Sequence, residues 1–184
     1  MKIFNTKIED CLIIDSSDDI SNTFESSETF NQEKFNKIIG KKIDFVQDNL
    51  SKSIKGTLRG LHIQKGANMQ SKLVRVISGT ILDVVVDLRS ESSTFGRHFS
   101  IELSDQNQKQ LFIPKGCAHG FVVLSNVALF FYKCDNYYNK KSESGIIYND
   151  LDLKIDWKIN EEDIILSEKD KNLPSFSEWK KNSI

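Results

Sequence analysis

The chain has 184 residues and a net charge of -1, which is enough for one domain over residues 1–184 with a sizeable core. Because the net charge is close to zero, we expect no nucleic-acid partner. No apolar run is long enough to span a bilayer, and the N-terminus lacks the apolar core of a signal peptide. We therefore expect no membrane partner and a cytoplasmic location. Three widely separated cysteines, Cys11, Cys117 and Cys134, predict neither a disulfide framework nor structural zinc.

The N-terminal part mixes one strand, a polar stretch and one helix. Residues 11–14 predict a strand, and 15–27, rich in Ser, Asp and Asn, predict a loop. Apolar residues recur at helical spacing within 30–39, and Gly40 follows as a C-cap. We therefore expect a short packing helix there.

From residue 42 onward the pattern is typical of strands. Two β-branched runs within 72–88 are interrupted by Gly79, which is a hairpin signal. Further strands are predicted at 99–103, 111–113, 120–124 and 128–133. Many short strands with few helices indicate an all-β sandwich or barrel, with short peripheral helices near 167–170 and 176–182.

The stretch 45–72 concentrates polar residues among strand-like apolar ones. Arg59 lies between a leucine and a glycine, where we do not expect a solvated surface charge, and its planar fork suits phosphate or carboxylate. His62 lies between two apolar residues, so on a strand it points to the opposite face. In a barrel or sandwich, that face is exposed either to solvent or to an interior lined with side chains.

Residues 114–119 read Pro-Lys-Gly-Cys-Ala-His, which resembles the second half of the cupin signature. Metal-binding cupins supply His-x-His in the first half, but the equivalent place here, 62–64, reads His-Ile-Gln. Two histidines are a short ligand set for a transition metal, so we expect no metal site. His119 is then either a site residue or a buried histidine bonded to backbone.

Two residues could complete an acid–base set with His62. A carboxylate on its second ring nitrogen would fix the tautomer, and Asp170 is a candidate. The segment 167–170 also reads as a helix capping box, which is the competing interpretation of Asp170. Tyr132 shares a strand face with Phe130, so it is either a core residue or, at a barrel mouth, a usable acid.

Taken together, these motifs resemble the dTDP-4-dehydrorhamnose 3,5-epimerases, nucleotide-sugar epimerases of the cupin superfold. The matching strings, in family order over residues 45–170, are FVQDNLSKS, LRGLHIQ, SKLVRV, DVVVDLR, TFG, LFIPKGCAHGF, YKCDNYY, NDLDLKIDW and LSEKD. The resemblance implies an all-β cupin jelly-roll barrel, a homodimer and no metal or other cofactor. It implies inversion of C3, C5 or both in a nucleotide-linked 4-keto-6-deoxy sugar through an enolate, feeding deoxysugar supply for surface polysaccharide.

The resemblance also implies roles for individual residues. His62 resembles the catalytic base and Asp170 its partner. Tyr132 resembles the opposing acid, and Lys72 a cation beside the C4 oxygen. The residues expected to contact substrate, phosphate or nucleotide are Arg59, Gln47, Asn49, His119, Glu143, Tyr138 and Glu28.

Two departures from the family pattern lie where the nucleotide is recognised. The family's Arg and Gly fall on Thr23 and Phe24, and its aromatic and Pro positions near Glu143 read Lys140 and Tyr148. We therefore expect the reaction type to be kept while the nucleotide or sugar differs. dTDP-4-keto-6-deoxyhexose and GDP-4-keto-6-deoxy-heptose are both open as substrates.

Three other functions remain as alternatives on the same fold. A sugar-nucleotide ketoisomerase would also keep a histidine base. A non-catalytic sugar-nucleotide-binding cupin would not need His62 and Tyr132 on opposite faces. A metal-dependent dioxygenase is disfavoured by the missing His-x-His.

Overall fold

Two antiparallel sheets carry the fold in the computed structural model, which describes residues 2–15 and 28–181. The strands of the first sheet, in spatial order, are β1 (Lys2–Asn5), β2 (Leu12–Asp15), β8 (Lys109–Ile113), β5 (Lys72–Ser78), β10 (Val127–Cys134) and β3 (Gln47–Ile54). Those of the second are β11 (Glu143–Gly145), β4 (Leu58–Gln64), β9 (Cys117–Val123), β6 (Thr80–Asp87) and β7 (His98–Ser104). The all-β prediction is confirmed, and most of the predicted loop 15–27 lies outside the described residues.

Strand β6 shows how the core is divided. Ile81 and Val85 face the interior between the two sheets, where the first apolar cluster lies. Leu82, Val84 and Val86 alternate with them and join a second cluster on the outer face, beneath the C-terminal part of the chain. Because both faces of β6 are covered, a charged side chain on its inward face is surrounded by apolar groups.

Short helices cover the outside of the sheets, as predicted. Helix α1 (Gln32–Ile39) begins at Asn31, whose side chain accepts from two backbone amides, and ends at Gly40 in the left-handed conformation. Helices α2 (Glu168–Lys171) and α3 (Phe176–Lys181) follow near the C-terminus. Within the described ranges, 3₁₀ turns occupy Gly66–Asn68, Lys140–Ser142 and Glu161–Asp163. Among the described residues, no helix has the length and apolarity needed to cross a bilayer.

The hairpin predicted at Gly79 is wrong. Strand β5 pairs with β8 and β10, whereas β6 pairs with β7 and β9, so the two runs belong to different sheets. Gly79 has φ +86°, and a Cβ there would lie 2.2 Å from the carbonyl oxygen of Val127. The glycine therefore turns the chain tightly from one sheet into the other, and a local turn signal does not distinguish this turn from a hairpin.

Candidate active site

A cavity of about 300 Å³ opens between the two sheets. Strands β3, β5 and β10 supply one wall, and β4 and β11 supply the other. Its lining residues are Gln47, Asn49, His62, Ile63, Gln64, Gln70, Lys72, Tyr132, Cys134, Tyr138 and Glu143. Seven of the eleven site residues predicted from the sequence are in this list, so the fold brings together groups that are up to 96 residues apart in the chain, from Gln47 to Glu143.

His62 and Asp170 form a hydrogen-bonded pair at this cavity. The Nε2 atom of His62 contacts Oδ1 of Asp170, which leaves Nδ1 as the ring nitrogen that can accept a proton. The hydroxyl of Ser167 donates to the other carboxylate oxygen over 2.8 Å. Burial favours the neutral carboxyl, but the hydrogen bonds from His62 and Ser167 outweigh it and hold the pKa of Asp170 below its usual value.

The structure contains both contacts that the sequence suggested for Asp170. Ser167 caps α2 by accepting from the backbone amide of Asp170 over 3.2 Å. The carboxylate of the same aspartate turns inward to His62, while its backbone belongs to the helix. The cap therefore fixes the position of the carboxylate that holds the imidazole.

His119 lies directly opposite His62 in the pairing of β4 with β9. It is buried, and its Nε2 atom is 2.8 Å from Oδ2 of Asp83. Its partner is thus a carboxylate and not the backbone. Burial lowers the pKa of His119 in spite of Asp83, so the ring is neutral near neutral pH and donates its Nε2 proton to the carboxylate.

Lys72 and Tyr132 lie on the sheet that faces His62. The Nζ atom of Lys72 is 6.0 Å from the centre of the Tyr132 ring. Burial lowers the pKa of Lys72, and it raises the pKa of Tyr132, which the charge of Arg59 partly lowers again. The phenol is therefore protonated at neutral pH, as an acid must be before it gives up its proton.

Arg59 is exposed, so the prediction that it avoids solvent is wrong. Its side chain has no hydrogen bond or ion pair to any residue within 2–15 and 28–181, although its backbone pairs with Phe121 on β9. A guanidinium without a carboxylate partner is costly to bury, which explains its position in water. It remains close enough to the cavity for its charge to act on Tyr132.

Gln47, Asn49, Tyr138 and Glu143 form the rim of the cavity. The side chain of Gln47 donates to Asn49 over 3.1 Å and accepts from the backbone amide of Tyr138 over 2.9 Å. The hydroxyl of Tyr138 donates to Glu143 over 2.8 Å, and Lys169 forms an ion pair with the same carboxylate. Although burial opposes it, these two partners hold the pKa of Glu143 below its usual value.

The rim is held to the neighbouring turn by further hydrogen bonds. The amide of Asn139 donates to the side chain of Gln64 over 3.0 Å, and that of Lys65 donates to the carbonyl of Ser142 over 2.8 Å. Gln70 donates to the carbonyl of Asn136 over 2.8 Å. The rim is therefore ordered by the chain's own contacts.

Glu28 is the one described site residue that the fold keeps apart from this group. It precedes α1 and is engaged by Lys34, 2.6 Å from its carboxylate, and by Asn31 at 3.0 Å. It does not line the cavity. Thr23 and Phe24, where the sequence departs from the family pattern, lie outside the described residues.

Sequence reasoning missed several residues at the site. Cys134 lines the cavity two residues after Tyr132, so strand alternation alone could have identified it. Asp83 interrupts an apolar run, Ile-Leu-Asp-Val-Val-Val, which is a signal for a buried charge with a function or a partner. Lys169 and Gln64 carried no comparable signal, because their roles depend on loops that meet only in the fold.

Two clefts of larger volume, about 440 and 530 Å³, also open on the molecule, and the first of them shares Ile63 and Gln64 with the cavity. The first is lined by residues such as Met69 and Trp179, and the second by residues such as Lys41 and Phe112. Neither contains a histidine, so neither offers a comparable base. Within the described residues, no group of three His, Cys, Asp or Glu side chains is arranged to hold a metal ion.

Comparisons with known proteins agree with this arrangement. A model of the family described as dTDP-4-dehydrorhamnose 3,5-epimerase matches residues 5–178. The Escherichia coli enzyme of that name is 46% identical over 181 residues, which cover 97% of this chain and 96% of that protein.

Two solved structures extend the likeness to the whole fold. The dTDP-4-dehydrorhamnose 3,5-epimerase of Elizabethkingia anophelis is 51% identical with a TM-score of 0.89, covering 97% of each chain. A Legionella pneumophila dTDP-6-deoxy-D-glucose-3,5-epimerase, solved with dTDP-4-keto-L-rhamnose, is 41% identical with a TM-score of 0.86, covering 96% of this chain and 93% of that one. The cupin jelly-roll prediction is confirmed, and this chain belongs to the dTDP-4-dehydrorhamnose 3,5-epimerase family.

Proposed function

We propose that the protein inverts C3 and C5 of a dTDP-linked 4-keto-6-deoxy sugar by removing and returning a proton at each carbon. The observation that carries the proposal is the His62–Asp170 pair on one wall of the cavity, facing Lys72 and Tyr132 on the other. Inversion requires a base on one face of the sugar and an acid on the other, and the two walls supply these two groups.

In the first step, Nδ1 of His62 takes a proton from a carbon next to the C4 ketone. The electron pair of the broken C–H bond forms a C=C bond, and the carbonyl oxygen becomes an enolate. Asp170 holds the ring and stabilises the imidazolium that forms. A base placed in this way contributes roughly 10²–10⁴-fold to the rate.

Lys72 stabilises the negative oxygen in this proposal. A single well-placed donor to a developing oxyanion is worth roughly 3 kcal/mol when water is excluded. Tyr132 then donates its phenolic proton to the opposite face of the enolate carbon, which restores the ketone with inverted configuration. Before the next cycle, His62 releases its proton to solvent and Tyr132 takes one up.

The remaining polar residues bind the substrate in this proposal. Arg59, exposed and without a partner in the described part of the chain, suits the diphosphate. Gln47, Asn49 and His119 would contact the sugar or its phosphates, and Tyr138 with Glu143 the nucleoside. Binding energy from the diphosphate would orient a sugar that has few groups to hold at the reacting carbons.

The nucleotide is proposed as dTDP because the family relatives are named for dTDP sugars. The substitutions at Thr23, Phe24 and Lys140 keep a GDP-linked 4-keto-6-deoxy-heptose as the competing substrate. Supply of a deoxysugar for surface polysaccharide is the role we propose for the product.

We also propose that the protein is a homodimer, as the resemblance implies. Strand β3 is the last strand of its sheet, and its outward face exposes Leu50 by 65% and Ile54 by 59%. On the neighbouring strand β10, Val127 pairs with Ile54 and is also exposed. An apolar edge of this kind is suited to a second copy of the chain.

Proton exchange in D₂O, followed by NMR, tests the proposed reaction. The dTDP- and GDP-linked 4-keto-6-deoxy sugars are offered side by side to the wild type, His62→Ala and His98→Ala. Deuterium at both C3 and C5 of the dTDP sugar is expected with the wild type and with His98→Ala, a histidine on β7 outside the cavity. It is not expected with His62→Ala.

The other outcomes identify the alternatives. Exchange at one carbon would indicate a one-centre epimerase, and exchange only with the GDP sugar would correct the nucleotide. Migration of the keto group would indicate a ketoisomerase. Binding without exchange of either sugar would show a non-catalytic sugar-nucleotide-binding protein.

A further inference from the structure

Four groups on one wall of the cavity form a continuous chain of hydrogen bonds. The backbone amide of Tyr138 donates to Oε1 of Gln47 over 2.9 Å, and Nε2 of Gln47 donates to Oδ1 of Asn49 over 3.1 Å. Nδ2 of Asn49 in turn donates to Sγ of Cys134 over 3.8 Å, a long bond because sulfur is a large and weak acceptor. We call this chain the amide relay, and it runs from the rim of the cavity to a thiol on strand β10.

The direction of the amide relay is fixed at its rim end. A backbone amide can only donate, so the atom of Gln47 that meets Tyr138 must be the carbonyl oxygen. The nitrogen of Gln47 then faces Asn49, whose oxygen accepts from it, and this leaves the nitrogen of Asn49 facing Cys134. The orientation of both side-chain amides therefore follows from one N–H group that cannot reverse.

Cys134 ends the amide relay between two other residues of the cavity. In the strand ladders it pairs with Gln47 on β3 and with Lys72 on β5, and it lines the cavity although it is only 1% exposed. Burial raises the pKa of its thiol to about 11, so the sulfur meets the Asn49 amide as an uncharged acceptor at neutral pH. Among the described residues, no other acceptor meets this nitrogen.

Each side-chain amide nitrogen keeps one N–H group outside the amide relay. Such a nitrogen carries two hydrogens, of which Gln47 uses one on Asn49, and Asn49 uses one on Cys134. Neither nitrogen has a second partner among the described residues, and both side chains line the cavity. The remaining hydrogens are therefore available to acceptor oxygens of a bound molecule, such as those of a phosphate or of a sugar.

We propose that Cys134 is a positioning residue that acts through Asn49, and that it holds the amide relay so that this wall presents N–H donors to acceptor oxygens of the ligand. Cys134 takes no part in proton transfer in this proposal. It contributes to binding, because a donor that is already fixed loses less conformational entropy when the ligand arrives. The inference rests on the proposed function in that the ligand is a nucleotide-linked sugar, which is rich in such oxygens.

Cys134→Ser and Cys134→Ala separate the acceptor from the volume of the side chain, because serine and alanine differ by one hydroxyl oxygen. Calorimetry measures the binding of dTDP-glucose and GDP-glucose, which are not turned over because they have no ketone at C4. For the sugar nucleotide that the wild type binds, we expect Cys134→Ser to stay within about twofold of the wild-type affinity and Cys134→Ala to bind about threefold to tenfold more weakly, as for one neutral hydrogen bond.

Steady-state kinetics provide a second measurement on the same variants. In Cys134→Ala, the KM for the 4-keto sugar should rise by a similar factor while kcat stays within about twofold of wild type, because the amide relay holds the ligand equally in the ground state and the transition state. In Cys134→Ser, the hydroxyl restores an acceptor for Asn49, so both parameters should return towards the wild-type values.

The matched control is Cys11→Ala. Cys11 is a completely buried thiol in the apolar cluster between the two sheets, but it does not line the cavity, so its loss should leave binding unchanged. dTDP alone locates the oxygens that the wall recognises. Weaker binding of both dTDP and dTDP-glucose assigns the N–H donors to the phosphates, and weaker binding of dTDP-glucose only assigns them to the sugar. If Cys134→Ala does not fold, Cys134→Val removes the acceptor and fills the space.

Equal losses of affinity in Cys134→Ser and Cys134→Ala would overturn the proposal, as would wild-type affinity in Cys134→Ala or an equal loss in Cys11→Ala. A fall in kcat at unchanged KM, or a wild type that binds neither sugar nucleotide, would also contradict it. Because binding needs no turnover, the calorimetry separates the two proposals. A difference between the serine and alanine variants in a protein that exchanges no sugar proton would support the role of Cys134 and reject the epimerase assignment.

Discussion

Two carboxylates on strand β6, Asp83 and Asp87, are both completely buried, yet their surroundings are opposite. Asp87 is surrounded by donors: Arg89 contributes its Nε atom at 2.9 Å and Nη2 at 2.7 Å, and Ser92 and Thr94 each donate over 2.6 Å. Asp83 has one partner, His119, and one unpaired oxygen.

The difference shows what each carboxylate contributes. Hydrogen bonds that favour the charged form hold the pKa of Asp87 at about 2 although burial opposes them, so this carboxylate stabilises the loop after β6. Both oxygens of Asp87 are therefore occupied by partners from the loop that follows β6. Asp83 has a carboxylate oxygen that no described residue satisfies, on the inward face of β6.

The largest effect is expected from His62→Ala. Removal of the base should lower kcat/KM by roughly 10³-fold or more, because no other histidine lines the cavity. The protein should still fold, but its melting temperature should fall, because the substitution leaves the buried carboxylate of Asp170 without this partner. Full activity in steady-state kinetics would contradict the assignment of the base.

Tyr132→Phe should come next, with a loss of roughly 10²-fold at the carbon that receives its proton from the phenol. The ring stays packed, so stability should be nearly unchanged. Deuterium incorporation at C3 and C5 is measured separately. Equal rates at both carbons in variant and wild type would mean that another acid operates.

Asp87→Asn should lower the free energy of unfolding and leave catalysis almost unchanged. A pKa of about 2 in the folded protein, against roughly 3.9 in the unfolded chain, corresponds to roughly 2–3 kcal/mol at neutral pH. Because the folded-state pKa is depressed, this contribution is complete above about pH 4 and is lost as the pH falls towards 2. Urea unfolding at pH 7 and pH 2.5 measures it.

Comparing the two pH values tests whether the stabilisation comes from the charge of Asp87. The difference in unfolding free energy between wild type and Asp87→Asn should shrink at pH 2.5, while kcat/KM at pH 7 stays within a few fold of wild type. A difference that does not depend on pH would show that the hydrogen bonds matter through packing and not through the charge.

The smallest effect on a single subunit is expected from Leu50→Lys. A charge on the exposed face of β3 should weaken self-association without entering either carboxylate cluster. Light scattering after gel filtration measures the mass. Lys52→Leu, two residues along β3 on the same outward face, is the opposite control and should not produce monomer.

Local patterns predict the strands and α1, because apolar alternation and a glycine cap are properties of neighbouring residues. The residues of the cavity were predictable only through the resemblance, since the strand that carries His62 belongs to a different sheet from the strands that carry Gln47 and Tyr132. Gly79 shows the limit: a turn is visible in sequence, but the sheet that the next strand joins is not. For Asp83, a buried carboxyl group was detectable from the apolar run around it, whereas its pairing with His119 was not.

The contact between His62 and Asp170 also has a consequence for how the protein acquires activity, because it joins residues 108 positions apart. Most pairing in this fold is between distant segments, and such topologies fold more slowly than those built from local contacts. The helix that bears Asp170 completes the base only when it docks against the strand that bears His62. Catalytic competence is therefore expected to appear late in folding, with the docking of the C-terminal segment, and activity during refolding would report that final step.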